Sequence, residues 1–230
     1  MKKWLIALLV LTTIKAYSQK HTPGGKQWSA ERANKWYKTH KWLSGANYIP
    51  ATAINQLEMW QADTFDPKTI DTELGYAQNI GFTTMRVFLH SMAWKQDPAG
   101  FKKGVNEFLT IANKHHIQPI FVFFDDCWNK EPKAGKQPEP KPGIHNSGWM
   151  QDPGQPASEN IANFPQLKLY VKDILLTFGH DKRILLWDLY NEPGNSGQGS
   201  KSMPLLKNVF AWAREATRRN QLQQGYGIGI

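Results

Sequence analysis

The residues best suited to chemistry come directly after a short apolar segment. Residues 184–190 read Ile-Leu-Leu-Trp-Asp-Leu-Tyr, and Asn191, Glu192 and Pro193 follow them. A buried strand that ends here would hold the Glu192 carboxyl at its tip, because the ring of Pro193 restricts the turn. A carboxyl group fixed in this way can serve as a general acid and base, which cleavage of a glycosidic bond requires. We therefore assign Glu192 as the candidate acid/base and Asn191 as a ligand of a sugar hydroxyl.

Arg86 is the second candidate, because it interrupts an apolar segment. Met85, Val87, Phe88 and Leu89 surround it. An unpaired buried charge is too costly to be retained without a role. A structural ion pair is one explanation, and electrostatic support of a catalytic site is the explanation that we favour.

Polar and aromatic residues near the ends of predicted strands, and in one long loop, form a third set. The faces of aromatic rings suit the apolar faces of sugars. Asp125 and Asp126 could instead cap a helix, and the adjacent pair His115 and His116 fits a solvated helix end. The candidate substrate-binding residues are Asn47, Tyr48, Asp125, Asp126, Trp128, His145 and Trp149. No cluster has the spacing of metal ligands, so we predict neither a metal nor a cofactor.

The elements that must position these residues alternate along the chain. Asp-Pro pairs at 66–67 and 97–98 each predict a helix start, with the aspartate as N-cap and the proline in the first turn. Two further helices are predicted at about 167–178 and from Met203 onward. The predicted strands cover residues 43–49, 83–90, 117–124 and 183–190. An isolated Asn-Glu-Pro is usually a solvated turn, but its place after the fourth strand of this pattern favours catalysis.

The alternation predicts an α/β fold with a parallel sheet covered by helices, because the strands are almost continuously apolar. A doubly wound sheet shares the pattern, but no Gly-rich phosphate loop joins a strand to a helix. We therefore predict a (β/α)₈ TIM barrel of which about the first four strand–helix units are present. The Pro/Gly-rich segment 130–156 is either a disordered linker or part of the site, and its residues 143–149 favour the second.

The N-terminus and the charge indicate where the protein acts. Residues 1–18 have a basic start, a short apolar run and small residues after it, as in a secretory signal peptide, so we expect a secreted or periplasmic protein with no membrane contact after cleavage. The formal net charge is +9 and falls to +6 without Lys2, Lys3 and Lys15. The remaining basic residues are scattered, which argues against nucleic acid as a partner. The single cysteine, Cys127, is expected to be a packed side chain.

Several of these motifs together resemble a known family. The segment Trp-Asp-Leu-Tyr-Asn-Glu-Pro at 187–193 is similar to the fourth-strand acid/base motif of the retaining clan of cellulases, mannanases and xylanases. The strand around Arg86 resembles the strand of the same clan whose arginine supports the nucleophile. The segments 43–60, 121–128 and 145–149 resemble a cellulase-like subgroup of family 5 type, often labelled 1,4-β-xylanases. The resemblance covers roughly residues 28 to 216. It implies that Glu192 is the acid/base, that Asn191 binds the 2-hydroxyl and that Arg86 supports the nucleophile.

The resemblance also implies features that this sequence does not contain. Residues 19–217 correspond to the N-terminal half of the catalytic barrel, whereas 218–230 lack the apolar run of a fifth strand, which suggests an early stop or a change of frame. The family's nucleophile, a glutamate on a later strand, is missing. We expect the complete enzyme to cleave a β-1,4-linked polysaccharide (xylan, mannan or glucan) with retention. The 230-residue chain should be inactive, at most binding carbohydrate, and prone to self-association through its open sheet edges.

Overall fold

The computed structural model describes residues 28–40, 42–218 and 228–229. The predicted signal peptide at 1–18 lies outside them, as do most residues of the predicted tail. The strands are β1 (Gly45–Tyr48), β2 (Thr84–Phe88), β3 (Gln118–Asp125), β4 (Leu186–Asn191) and β5 (Ile228–Gly229). The helices are α1 (Ala30–Lys38), α2 (Gln56–Trp60), α3 (Pro67–Asn79), α4 (Ser91–Gln96), α5 (Pro98–Lys114), α6 (Gln155–Ser158), α7 (Phe164–Phe178) and α8 (Met203–Arg218), with 3₁₀ turns at Ile161–Asn163 and Gly199–Ser202.

The sheet follows the order of the chain. Each strand from β1 to β5 pairs in parallel with the next one, and one or more helices lie in the connection. This repeated strand–helix unit with neighbouring parallel strands is the arrangement of a (β/α)₈ barrel, of which the described chain forms a part. The predicted fold class is confirmed.

The pairing of β5 is a difference from the sequence analysis, which found no fifth strand. Ile228 and Gly229 pair in parallel with Trp187 and Asp188 of β4. Two residues, one of them glycine, are too short to produce the apolar run or the alternation by which a strand is recognised in a sequence.

The predicted helix starts have the expected caps. The Asp66 carboxylate accepts a hydrogen bond from Thr69 N at 3.0 Å, and that of Asp97 accepts one from Gly100 N at 2.9 Å. The buried face of α5 consists of Phe101, Val105, Phe108, Leu109 and Ala112. Ile80 lies at the C-cap of α3, one residue past the end of the helix, and its side chain is 72% exposed.

The core lies between one face of the sheet and the helices. Aromatic rings dominate it: Phe121 of β3 packs against Phe108 of α5, and Trp187 of β4 packs against both Phe121 and Phe123. On the opposite face of the sheet Arg86, Ile120 and Asp188 are only half-buried. Polar side chains of the strands are therefore available on this inner face.

The segment 130–156 is an anchored loop rather than a disordered linker. Asn129 and Met150 form a bridge across its base. The buried amide of Asn55, just before α2, donates to Gln137 Oε1 and to the Gly148 carbonyl, both at 2.9 Å. The loop is therefore held against the first strand–helix unit, beyond the C-terminal end of β3.

Candidate active site

The candidate site begins where β3 and β4 end side by side. Asp125 and Asn191 are partners in the strand register, and Asn191 Nδ2 donates to Asp125 Oδ1 at 2.8 Å. This edge, formed by the carboxyl ends of parallel strands, is the edge at which (β/α)₈ barrels carry their active sites.

Arg86 reaches the same residues from β2. Its guanidinium forms an ion pair with Asp188 of β4, with Nε at 3.2 Å from Oδ2, and its Nη2 donates to Asn191 Oδ1 at 2.9 Å. The guanidinium carbon also lies 4.8 Å from the ring centre of Phe88. Arg86 thus has both an ion-pair partner and a contact to a candidate catalytic residue. Asp188 was missed, although a carboxylate within an apolar strand is the same signal that singled out Arg86.

The side chain of Asn191 is fixed on both sides. Its oxygen accepts from Arg86, while its nitrogen donates to Asp125 and lies 3.4 Å from Cys127 Sγ. A cation on one side and a carboxylate on the other determine which way the amide points. Asn191 is therefore a rigid group immediately before Glu192.

Asp125 is nearly inaccessible to solvent and is the centre of a second group of contacts. It accepts from Trp149 Nε1 at 3.0 Å and from the backbone of Cys127 at 2.9 Å, besides the bond from Asn191. Burial raises the pKa of this carboxyl, while its donors act in the opposite sense. Asp125 connects the long loop to the strand edge.

Glu192 is exposed and occupies a left-handed backbone conformation with φ of 44°. Such a φ is unusual for a side chain other than glycine and often marks a functional position. The turn is closed by Asn195, whose N–H donates to the Glu192 carbonyl at 3.0 Å and whose side-chain amide donates to Glu192 Oε2. Asn195 was not singled out from the sequence, because a polar residue in a Gly-rich turn carries no distinguishing signal.

Cys127 lies between these groups. The side-chain amides of Asn191 and Asn195 each lie 3.4 Å from its sulfur. Burial raises the pKa of the thiol well above its usual range, and the neighbouring carboxylates Asp125 and Glu192 raise it further. The cysteine is therefore a neutral, mostly buried group that fills the space beside the Glu192 turn.

The predicted aromatic residues occupy two different positions. Trp128, with φ of 70° and 45% of its surface exposed, lies edge-on to His145 at 5.6 Å, and both line a cleft of about 310 Å³. Trp149 is less exposed. Its indole N–H donates to the Asp125 carboxylate, and its ring packs edge-on against Phe88 with the ring centres 5.2 Å apart. Trp128 and His145 are therefore open to a ligand, whereas Trp149 positions the carboxyl of Asp125.

Of the remaining predicted binding residues, Tyr48 and Asp126 are engaged in structural contacts, whereas Asn47 lies beside Arg86. Tyr48 is buried on the helix side of β1, where its hydroxyl donates to Glu73 at 2.9 Å and its ring packs on Phe108, so we leave it out of the proposed site. The side chain of Asp126 is buried and accepts from Tyr190 OH and Gly194 N, both at 2.7 Å, which makes it a support of the β4 turn. Asn47 is exposed on β1, opposite Arg86 in the register.

The described residues lack two other kinds of feature. In the ranges 28–40, 42–218 and 228–229, no group of three or more His, Cys, Asp or Glu side chains could hold a metal ion. Within the same ranges no helix has the length and apolar character needed to cross a bilayer.

Comparison with known proteins shows that this chain is similar in structure to solved proteins. No protein-family model matches the sequence, and no curated protein matches it. Among solved structures, an exo-β-1,4-mannosidase from Opitutaceae bacterium strain TAV5 superposes with a TM-score of 0.54 at 20% identity, over 76% of this chain and 30% of the mannosidase. The shared feature is the fold. GH5_18 from Streptomyces cattleya, in complex with GlcNAc, matches over 76% of this chain and 42% of its own, with a TM-score of 0.49 and 10% identity. The chain therefore spans less than half the length of the structures that it resembles.

Proposed function

We propose that this chain is the acid/base half of a retaining glycoside hydrolase of the cellulase, mannanase and xylanase clan. The observation that carries the proposal is the connected set Arg86, Asn191 and Glu192 at the C-terminal edge of the parallel strands. The resemblance of the 187–193 segment to the clan's acid/base motif agrees with it, and so does the fold shared with the Opitutaceae mannosidase.

In the proposed reaction Glu192 gives its proton to the leaving glycosidic oxygen and later takes one from the attacking water. Asn191, held by Arg86 and Asp125, donates to the 2-hydroxyl of the sugar bound at the point of cleavage. Retention requires a second carboxyl group about 5 Å from the first. We propose that this nucleophile is a glutamate on a later strand of the complete barrel, outside the described residues.

The substrate that we propose is a β-1,4-linked polysaccharide with a backbone of xylose, mannose or glucose. The exposed ring of Trp128, beside His145, supports a sugar-stacking position along the cleft.

Replacement of Glu192 by glutamine tests the acid/base role. In a protein that contains the completing strands, Glu192→Gln should lower turnover on xylan, mannan or glucan oligosaccharides by about 10²–10⁴-fold, because general acid–base help is lost. Binding of the same oligosaccharides should remain, since the amide keeps the shape of the side chain. Glu107→Gln, an exposed change on α5, is the matched control.

The product separates the retaining reaction from the alternative mechanism. Proton NMR should show the first-formed anomer with the configuration of the substrate. An inverted product would rule out the retaining mechanism, and unchanged turnover in Glu192→Gln would remove Glu192 from the acid/base role.

Carbohydrate binding without hydrolysis is the second candidate function. The observation that favours it is that the two carboxylates bonded to Arg86 or Asn191 are already engaged, Asp188 by Arg86 and Asp125 by Asn191 and Trp149. Oligosaccharide binding by the 230-residue chain without turnover fits this function, whereas steady turnover by that chain excludes it and makes Asp125 the first carboxylate to reconsider.

A further inference from the structure

A second cleft lies beside the one that Trp128 lines. Its volume is about 750 Å³, and every lining residue belongs to the 129–150 segment that follows β3. Its charged lining residues are Lys130, Glu131, Lys133, Lys136, Glu139 and Lys141. Four lysine and two glutamate side chains thus line one concave surface.

None of the four lysines forms a close ion pair within the described part of the chain, and Lys130 acts on Glu159 only at longer range, where its charge helps to lower the pKa of that carboxyl. Ion pairs in the described chain engage lysines elsewhere, at positions 102, 114, 168, 172 and 201, and none includes a lysine of this cleft. The side chains of all four are exposed. The cleft therefore presents positive charge that an anionic ligand could use.

The backbone that carries the lysines is held in place. The buried amide of Gln137 donates to the carbonyls of Lys133 and Gly135, at 2.9 Å and 2.7 Å. Lys141 N donates to Ser147 Oγ at 2.9 Å, and the Lys130 carbonyl accepts from Gln155 N at 2.9 Å. An ordered framework lowers the entropy that a ligand must overcome on binding.

The lysine cleft is continuous with the aromatic one. Asn129, Lys141 and Ser147 line both of them, so a chain-like ligand could lie across Trp128 and continue past Lys141. A flat ring followed by cationic groups suits a sugar unit that carries a carboxylate.

We propose that the lysine cleft binds a uronic acid unit of an anionic polysaccharide whose backbone lies along the Trp128 cleft. This inference rests on the proposed function and names the substrate class more closely. Nucleic acid fits less well, because Glu131 and Glu139 repel a ligand with one phosphate per unit. Among the described residues that line the two clefts, Trp128 is also the one large aromatic ring. Carboxylates spaced along a neutral backbone avoid that repulsion.

The experiment measures binding to the 230-residue chain by calorimetry, with three probes. These are a neutral xylo-oligosaccharide, the same oligosaccharide with one glucuronic acid branch, and a single-stranded oligodeoxynucleotide. The branched sugar should bind about tenfold more tightly than the neutral one, since each exposed charge pair contributes about two- to threefold. High salt should remove this advantage.

Matched triple variants locate the effect. Lys130→Gln, Lys133→Gln and Lys136→Gln, at lysines that line the 750 Å³ cleft and not the Trp128 cleft, should together abolish the preference for the branched sugar and leave affinity for the neutral one. Lys68→Gln, Lys182→Gln and Lys207→Gln remove the same charge from exposed positions outside the cleft and should keep the preference. If the first triple variant unfolds, Lys136→Gln alone should reduce the preference about two- to threefold.

Three results would overturn the inference: equal affinity for the two sugars, equal loss in the two triple variants, or oligodeoxynucleotide binding as tight as that of the branched sugar. None of these results affects the hydrolase proposal, because that proposal is tested by the turnover of Glu192→Gln.

Discussion

At the scale of single residues, the candidate site is a chain of hydrogen bonds that runs from β2 to the Glu192 turn. Arg86 holds Asn191, Asn191 holds Asp125, and Asn195 holds Glu192. The bonds from Arg86 to Asn191 and from Asn191 to Asp125 join residues far apart in the sequence. The bond from Asn195 to Glu192 lies within one turn. The geometry of Asn191 and Glu192 therefore depends on Arg86, Asp125 and Asn195, which do not touch a substrate in the proposed reaction.

The Arg86–Asp188 pair should contribute measurably to stability. Asp188→Asn leaves a half-buried guanidinium without its carboxylate, and we expect the free energy of unfolding to fall by about 1–3 kcal/mol. Glu215→Gln removes a carboxylate that meets two lysines on the surface, where its side chain is 52% exposed, and should cost less than about 1 kcal/mol. Urea unfolding of both variants measures the difference. Equal losses would mean that the pair behaves as a surface ion pair.

The pKa of the Cys127 thiol depends on the charges of its neighbours. Because the negative charges of Asp125 and Glu192 raise its pKa, Glu192→Gln should lower that pKa and increase the thiolate fraction at pH 8–9. The rate of alkylation by iodoacetamide should therefore rise in Glu192→Gln and stay unchanged in Glu107→Gln. A rate that is the same in all three proteins would place the Glu192 carboxylate too far from the thiol to act on it.

At the scale of elements, the sequence was most informative where local chemistry acts alone. Asp66-Pro67 and Asp97-Pro98 begin helices as expected, because capping needs only the residues of one turn. The fourth strand was expected from residue 183 but begins at Leu186, since Arg183 is bound to Asp181 in the preceding turn. The apolar character of Ile184 and Leu185 reflects burial and not strand geometry.

Side-chain direction was harder to predict than element type. Asn47 and Tyr48 were assigned to the site together, yet adjacent strand residues point to opposite faces, and Tyr48 faces the helices. The partners of Arg86 were also out of reach, because its bonds to Asp188 and Asn191 join residues 102 and 105 positions away. Only the parallel pairing of three strands brings them together.

The loop between β3 and α7 should depend on Asn55. The buried amide of Asn55 bonds Gln137 and Gly148 of the loop, and its oxygen caps α2 by accepting from Glu58 N at 2.9 Å. In Asn55→Ala these partners lose a buried donor, so backbone amides at 130–150 should exchange with deuterium faster than in the wild type.

Asn208→Ala is the control for this measurement, because the bond of Asn208 within the described residues is to the Pro204 carbonyl of its own helix. It should leave exchange in the loop unchanged. Unaltered protection at 130–150 in Asn55→Ala would show that other contacts suffice to hold the loop.

At the scale of the whole molecule, a buried polar layer joins the long loop to the sheet and helices. Asp152 accepts from the backbone and the hydroxyl of Ser91, and His90 Nδ1 lies 3.6 Å from its carboxylate. Asp125 of β3 and Tyr170 of α7 also lie close to Asp152. Burial raises the pKa of Asp152 to about 8 and lowers that of His90 to about 3, so both groups are neutral near pH 7.

These two groups predict a specific pH dependence of stability. Lowering the pH from about 6.5 towards 3 destabilises the fold through His90, because the unfolded chain binds a proton there and the folded one does not. Raising the pH from about 4 to 8 destabilises it through Asp152, because the unfolded carboxyl ionises first. The opposing effects overlap below pH 6.5, so only that of Asp152 remains between pH 6.5 and 8.

The wild-type free energy of unfolding should therefore fall by about 1.5 kcal/mol between pH 6.5 and 8, because the slope of about 1.4 kcal/mol per pH unit halves as the folded Asp152 itself ionises near pH 8. Asp152→Asn cannot ionise at this position, and its stability should be nearly flat over the same interval whatever its absolute value. Urea unfolding at half-unit steps of pH measures both slopes. Asp63→Asn, an exposed change after α2, should keep the wild-type slope. If Asp152→Asn keeps it too, the slope comes from another titrating group, and Asp152 does not have the raised pKa in the folded protein on which this prediction rests.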